Sequence, residues 1–254
     1  MSTFKLGRSP RAFNPRVPHM SALIGKKVSA PPPVVVDYTT VLPANLGVML
    51  NDQQGDCTCA GIYHAKQVWT ANANPPIQEE LDSNVESVYE GACGYVPGNP
   101  STDNGGVEQE VLAYWMKTGV PTVSGVDNLL AFLEVDHRST DDVKWAISDC
   151  GLVYIGIDVP AYLMDSVPDV WDVNPAADNS IIGGHCIILP GYNSIGPKLI
   201  SWGQVYQMTW AFFAQFTDEV YALADRSWIT VKGTTPGGLS ITQLEQQMQA
   251  LRGN

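Results

Sequence analysis

Cys57 follows Gly55-Asp56 and opens a stretch in which apolar or small residues recur at helical intervals: Cys57, Ala60, Gly61, His64, Ala65, Val68 and Trp69. A thiol on the first turn of a helix has unpaired backbone N–H groups and the positive end of the helix dipole beside it, which favour the thiolate. The same position also suits a cysteine packed as a small hydrophobe. His185 lies in Gly183-Gly184-His185-Cys186, where two glycines clear space ahead of an otherwise apolar strand. An imidazole there can relay a proton to or from a thiol, or can be a satisfied core histidine. Taken together, the two side chains form a candidate nucleophile and base.

Other reactive groups carry less. His64 stands seven residues beyond Cys57, about 10 Å along a helix axis, and reads as core. Cys57-x-Cys59 lacks the second cysteine pair of a zinc site, and Asp103-Asn104-Gly105 offers too few spaced oxygens for a calcium loop. No metal and no cofactor is expected.

The elements that position the pair follow from pattern. Helices are expected at 56–71, with Asp56 as N-cap, at 78–91, at Val107–Lys117 and at Ser139–Cys150, the last two ended by Gly119 and Gly151. A loop rich in Gly, Pro and Asn runs from Gly94 to Gly106, a length often found over a cleft. Past residue 150 the character becomes β: Leu152–Val159, Gly184–Leu189 and Lys198–Trp202, with a turn over Asn193–Pro197, then a short helix Met208–Phe216 and closing strands Val220–Leu223 and Trp228–Val231. The fold class is therefore α+β. An extended N-terminal arm is expected at 1–35, a main domain at 36–235 with a helical lobe (about 50–150) and a β lobe (about 151–235), and a C-terminal amphipathic helix within 236–254. That helix places Ile241, Leu244, Met248 and Leu251 on one face.

In this order the chain resembles the papain-like cysteine peptidases over about residues 36 to 224. Val36-Asp37-Tyr38 is similar to the family's mature start, Gln54-Gly55-Asp56-Cys57 to its nucleophile loop, Gly105-Gly106-Val107 to its left-lobe motif, and Gly183-Gly184-His185 with Ser201-Trp202-Gly203 to its general-base strand and neighbour. Gly-Asp-Cys, Gly-Gly-His and the stretch Trp202 to Trp210 also look like uncharacterised bacterial and tailed-phage chains. The resemblance implies a two-lobed fold with a helical left lobe, an antiparallel β right lobe and an active-site cleft between them. It implies catalytic roles for Cys57 as nucleophile and His185 as base, with Asn51, six residues before the cysteine, supplying the oxyanion amide. Asn51 stands where the family usually has glutamine; a register starting at Cys59 would put Gln53 there instead. The family's imidazole-orienting asparagine is replaced by Ile200, leaving Ser201 as orienter and Asn193 as a remoter candidate.

Composition bounds the partners. A formal charge of −12, with basic residues scattered apart from a slightly basic start, argues against nucleic acid or an anionic membrane as partner. No stretch approaches the ~18 apolar residues of a membrane span, and the N-terminus lacks the apolar core of a signal peptide. Five unevenly spaced cysteines argue for thiols rather than a disulfide framework. The expected setting is cytoplasmic or virion-associated. Two function classes follow: a thiol hydrolase acting on a peptide or protein substrate, or a papain-fold structural module, for example a virion component. In the second class the arm and C-terminal helix would meet homo-oligomer or virion partners. The arm is too short and too weakly helical to resemble the family's inhibitory prodomain, so autocatalytic activation is not expected.

Overall fold

The computed structural model describes residues 4–24, 31–73, 76–229, 233–236, 238 and 240–252. In chain order the elements are α1 (Met20–Ile24), β1 (Val36–Asp37), α2 (Cys57–Ala73), α3 (Asp82–Cys93), α4 (Glu108–Lys117), β2 (Val120–Thr122), β3 (Gly125–Asp127), β4 (Ala131–Glu134) and α5 (Thr140–Cys150). They continue with β5 (Val153–Pro160), α6 (Ala161–Asp165), β6 (Val170–Trp171), β7 (Ile181–Tyr192), β8 (Pro197–Ser201), β9 (Gln204–Met208), α7 (Trp210–Phe216), β10 (Thr217–Ala224) and α8 (Ile241–Arg252). The large sheet runs β4-β10-β5-β7-β8-β9-β6, with β1 paired to the end of β7; every pairing is antiparallel except β6 with β9. The fold is the α+β class expected.

Local chemistry sets several of these boundaries. Ser139 Oγ accepts the Asp142 N–H at 3.3 Å to start α5, and Gly151, at φ 81°, stops it in a left-handed turn. Gly94 does the same for α3 at φ 74°. Helix α2 differs in kind, because every residue from Cys57 to Thr70 is buried. A helix that is apolar and buried all round lies inside a protein rather than on it, and α2 is the central rod on which α3, α4 and strand β7 pack. Gly61 allows the close approach: a Cβ there would stand 2.9 Å from the Tyr154 ring and 3.4 Å from the Cys186 sulfur. The Tyr154 hydroxyl of β5 donates to the Thr58 carbonyl at 2.6 Å, tying helix to sheet, and the Trp69 indole donates to the Cys150 carbonyl at 2.7 Å, tying α2 to the end of α5.

Several expectations are corrected. Ala131–Glu134 was not read as regular structure, yet it pairs with β10 and extends the sheet with a strand from the mainly helical part of the chain. Met208, expected to open a helix, instead ends the strand Gln204–Met208, and the helix begins at Trp210, capped by Thr209. Trp228 sits in a turn; its indole donates to the Asp149 carbonyl at 2.9 Å, so it is held by packing and not by a closing strand. Residues 230 and 231 of that expected strand lie outside the described ones. The Asp56 carboxyl accepts from the Gln54 side-chain amide at 3.5 Å rather than from the first turn of α2. In α8, Leu244 and Met248 are buried against the body, while the Leu251 side chain lies outside the described ones. No helix among the described residues is long and apolar enough to cross a membrane.

The one lysine inside α2 carries a prediction. Lys66 is buried and meets Asp127 at 3.0 Å and Asp225 at 3.3 Å, and Asp225 is itself fully buried. Lys66→Met leaves a buried carboxylate uncompensated and should cost about 3–5 kcal/mol in denaturant unfolding, whereas Lys66→Met combined with Asp225→Asn should recover much of that loss.

Candidate active site

Cys57 is the first residue of α2, and its sulfur accepts the Cys186 N–H of β7 at 3.4 Å. His185, the preceding residue of β7, pairs across the sheet with Ile157. Its Nε2 meets the Ser201 Oγ at 2.8 Å, while its Nδ1 is buried and has no hydrogen-bond partner. The imidazole stacks on the Trp202 ring, 4.5 Å between centroids and 18° between planes. Cys57, His185, Asn51, Ser201 and His64 line one cavity of about 10 Å³, room for about one water.

The structure thus brings four of the sequence-derived candidates to one point. Ser201 is the side chain that meets the imidazole, with Ile200 buried beside it in β8. Asn193 does not reach the ring; it organises the β7–β8 turn, accepting the Ile195 and Gly196 N–H groups. Asn51 lines the cavity, but its amide donates to the Gln54 carbonyl at 3.2 Å. Cys59 faces Cys93 of α3, outside the cavity, and Gln53 is exposed. Among the described residues no group of three or more His, Cys, Asp or Glu is placed to hold a metal ion.

Backbone strain gathers around this point. Met49, Leu50 and Trp202 have φ of 56°, 67° and 47°, and they are the non-glycine residues with positive φ among those described. Met49 and Leu50 turn the chain into Asn51, and Trp202 carries the ring that covers His185. Such conformations cost about 1–3 kcal/mol each and persist where surrounding packing over-determines them. The left wall is tied separately: Asp103 Oδ1 accepts the Gly55 N–H at 2.8 Å and the Tyr89 hydroxyl at 2.7 Å, and that hydroxyl accepts the Gly105 N–H at 2.9 Å. Asp103, read from sequence as part of a plain turn, fixes the nucleophile loop to the Gly105-Gly106 loop.

The N-terminal arm runs through the cleft. Lys5 N–H donates to the Asn51 carbonyl (2.9 Å), Arg8 N–H to the Gly184 carbonyl (3.0 Å) and Ser9 N–H to the Gly106 carbonyl (2.9 Å), while Gly106 N–H donates to the Gly7 carbonyl (2.8 Å). Residues 5 to 9 therefore bridge the two walls as an extended peptide, and the Gly7 backbone passes close enough to the Cys57 sulfur to favour its thiolate. Phe4 stacks on Trp202 at 4.6 Å, extending the His185–Trp202 stack. Further on, Val17 and Met20 are buried, and the Glu134 N–H donates to the Pro18 carbonyl at 2.9 Å, so the arm continues along the β4 edge.

With the arm seated the pair is buried. Burial pushes the Cys57 thiol up to about 12, with Asp56 and Glu108 adding to the shift against the Cys186 N–H and the Gly7 backbone. Burial, then the charge of Arg8, lowers His185 to about 3. The helix terminus at Cys57 is outweighed, and both groups are neutral near pH 7. The low thiol pKa that a nucleophile needs is therefore not a property of this arm-bound state.

Solved structures with the same architecture are known. Xylellain, a cysteine protease from Xylella fastidiosa, matches with a TM-score of 0.66 at 13% identity, covering 88% of this chain and 97% of that one. The architecture is the papain-like fold. A procathepsin B from Trypanosoma congolense matches at 0.62 and 10% identity over 87% of this chain and 86% of its own, and procathepsin L 3 of the Tenebrio molitor larval midgut at 0.56 and 15% over 84% and 75%. No protein-family model and no curated protein matches the sequence. At these identities the likeness is one of papain-like fold alone.

Two predictions come from the site's burial. His185 and His64 are held neutral, at about 3 and about 4, against about 6.5 unfolded. Between pH 4 and 6.5 the unfolded chain binds more protons at both, so stability should rise with pH across that window and be lost on acidification. The expected slope is about 1.4 kcal/mol per pH unit for each histidine. Urea unfolding at several pH values checks this, and His64→Gln should flatten the dependence. The second concerns Gly7, where a Cβ would stand 1.9 Å from the Gly55 carbonyl oxygen. Gly7→Ala should lift the arm and speed iodoacetamide labelling of Cys57 by about tenfold or more, the scale set by ~1–3 kcal/mol of overpacking.

Proposed function

We propose that the chain is a latent thiol hydrolase of peptide or amide bonds, with Cys57 as nucleophile and His185 as its proton carrier. The observation that supports this most is the divided imidazole: Nε2 is held by Ser201, which leaves Nδ1 without a partner in the cavity it shares with the Cys57 sulfur. In the proposed reaction His185 takes the thiol proton and the sulfur attacks the substrate carbonyl carbon. Collapse of the tetrahedral adduct breaks the C–N bond, and the proton passes from His185 to the leaving amine. Water, deprotonated by the same imidazole, then releases the acyl group and restores the thiol. The backbone N–H of Cys57, at the α2 terminus, faces the developing oxyanion. Asn51 joins it only by giving up its bond to the Gln54 carbonyl, a local change that opening of the cleft would have to bring.

A second reading has its own support. A cleft filled by the chain's own arm, over a thiol raised to about 12, suits a papain-fold module retained for structure, such as a bacterial or phage virion component. The two separate on reactivity once the arm is lifted. In the Gly7→Ala chain, labelling of Cys57 should proceed well below the free-thiol pKa of ~8.5, fall at least about tenfold in His185→Ala, and fall less in Ser201→Ala, which removes one hydrogen bond worth about 1 kcal/mol. A Cys57 that becomes accessible but labels only as an ordinary thiol, independently of His185, would select the module.

A further inference from the structure

The Arg8 side chain is almost fully buried, with 1% of it exposed, between the two walls of the cleft. Its Nη1 meets Asp218 at 2.8 Å and Glu219 at 2.8 Å, and its Nη2 meets Asp158 at 3.0 Å. Glu108 of α4 lies behind them, fully buried, and neither of its carboxyl oxygens meets an N–H or O–H donor. Four carboxyl groups from three elements therefore surround one cation. Two glycines clear the space. A Cβ on Gly156 would stand 2.7 Å from Arg8 Cδ and Nη1, and one on Gly184 would stand 3.0 Å from Arg8 Nε.

We propose that this acid-lined pocket is a recognition subsite for a guanidinium side chain, so that peptides carrying arginine are the class the cleft accepts, and that Arg8 of the arm holds it as an internal occupant. The assignment of those peptides as substrates rests on the thiol hydrolase reading; the binding does not. Arg8 is hydrogen-bonded through its backbone to Gly184, immediately before His185, and its neighbours bond to Gly106 on the opposite wall. An extended peptide spanning the cleft in place of the arm would set a side chain in the same pocket. The contacts fan out from both terminal nitrogens to three carboxylates, a spread that fits a planar fork and that a single ammonium cannot span. Burial raises Glu108 and Glu219, and the charge of Arg8 pulls both back toward the carboxylate, so a bound guanidinium holds the pocket in its anionic form. Asp158 and Asp218 are 48% and 36% exposed, which leaves the mouth open to solvent.

The test uses the full chain carrying Arg8→Ala and Cys57→Ala, which binds without turnover, with calorimetry of N-acetyl-arginine methylamide against its lysine and citrulline counterparts. Arginine should bind about tenfold or more tighter than citrulline, its neutral isostere, with lysine between, and Glu219→Gln should abolish the preference. Should Arg8→Ala not fold, Arg8→Lys keeps one charge in the pocket, and the same ranking is expected as the ligand displaces the weaker anchor. Equal binding of arginine and citrulline, or no binding of either, overturns the subsite even where Cys57 proves reactive. An inert Cys57 beside a strong arginine preference overturns the hydrolase reading and leaves the subsite standing.

Discussion

The contact between helix α2 and strand β7 is the constraint on which the rest depends. A helix buried on all sides has no free choice of position: its first residue must fall where the sheet lets it approach, and Gly61 against Tyr154 and Cys186 sets that approach. Once it is made, Cys57 receives the backbone N–H that follows His185, and the two side chains share a cavity whatever the loops do. The orienting bond from Ser201, the stacked Trp202 and the Asp103 link across the left wall are refinements of a geometry already fixed.

Charge then decides the state in which this geometry rests. A cleft with Glu108, Asp158, Asp218 and Glu219 along it is poorly compensated when empty, and water alone would leave the two buried carboxyls at high energy. Arg8 supplies the missing cation from within the chain and draws residues 5 to 9 over the sulfur. Burial is the main cause of the lowered His185 pKa, and the charge of Arg8 lowers it further, so the side chain that seats the arm also disfavours the imidazolium. Covering of the sulfur and compensation of the carboxylates are one interaction seen from two sides.

Much of this was legible in the residues. The helix starting at Cys57 announced itself through small and apolar spacing, and the strand carrying His185 through its glycines and its apolar run. Ser201 followed from the loss of asparagine at Ile200. The strand at Ala131–Glu134 was not legible, because four residues give too little alternation to see and their stability comes from pairing with β10, which is distant in sequence. Nor was the arm's path. Proline spacing showed that it was extended, but the alternation of Phe4, Leu6 and Arg8 around Gly7 acquires meaning only once Gly55, Gly106 and Gly184 are known to lie together. Glu108 falls within the expected helix Val107–Lys117 and Glu219 just before the expected strand Val220–Leu223, and only the tertiary fold brings them toward one guanidinium.

Amide hydrogen exchange of the intact chain tests most directly whether charge compensation by Arg8 holds the arm in the cleft. The account predicts that the Arg8, Ser9 and Gly106 N–H groups are protected together in the wild type. In Glu219→Gln they should lose that protection as a unit, while the β5 and β7 amides keep theirs. Arm amides that exchange freely in the wild type, or that are equally protected in Glu219→Gln, would contradict it.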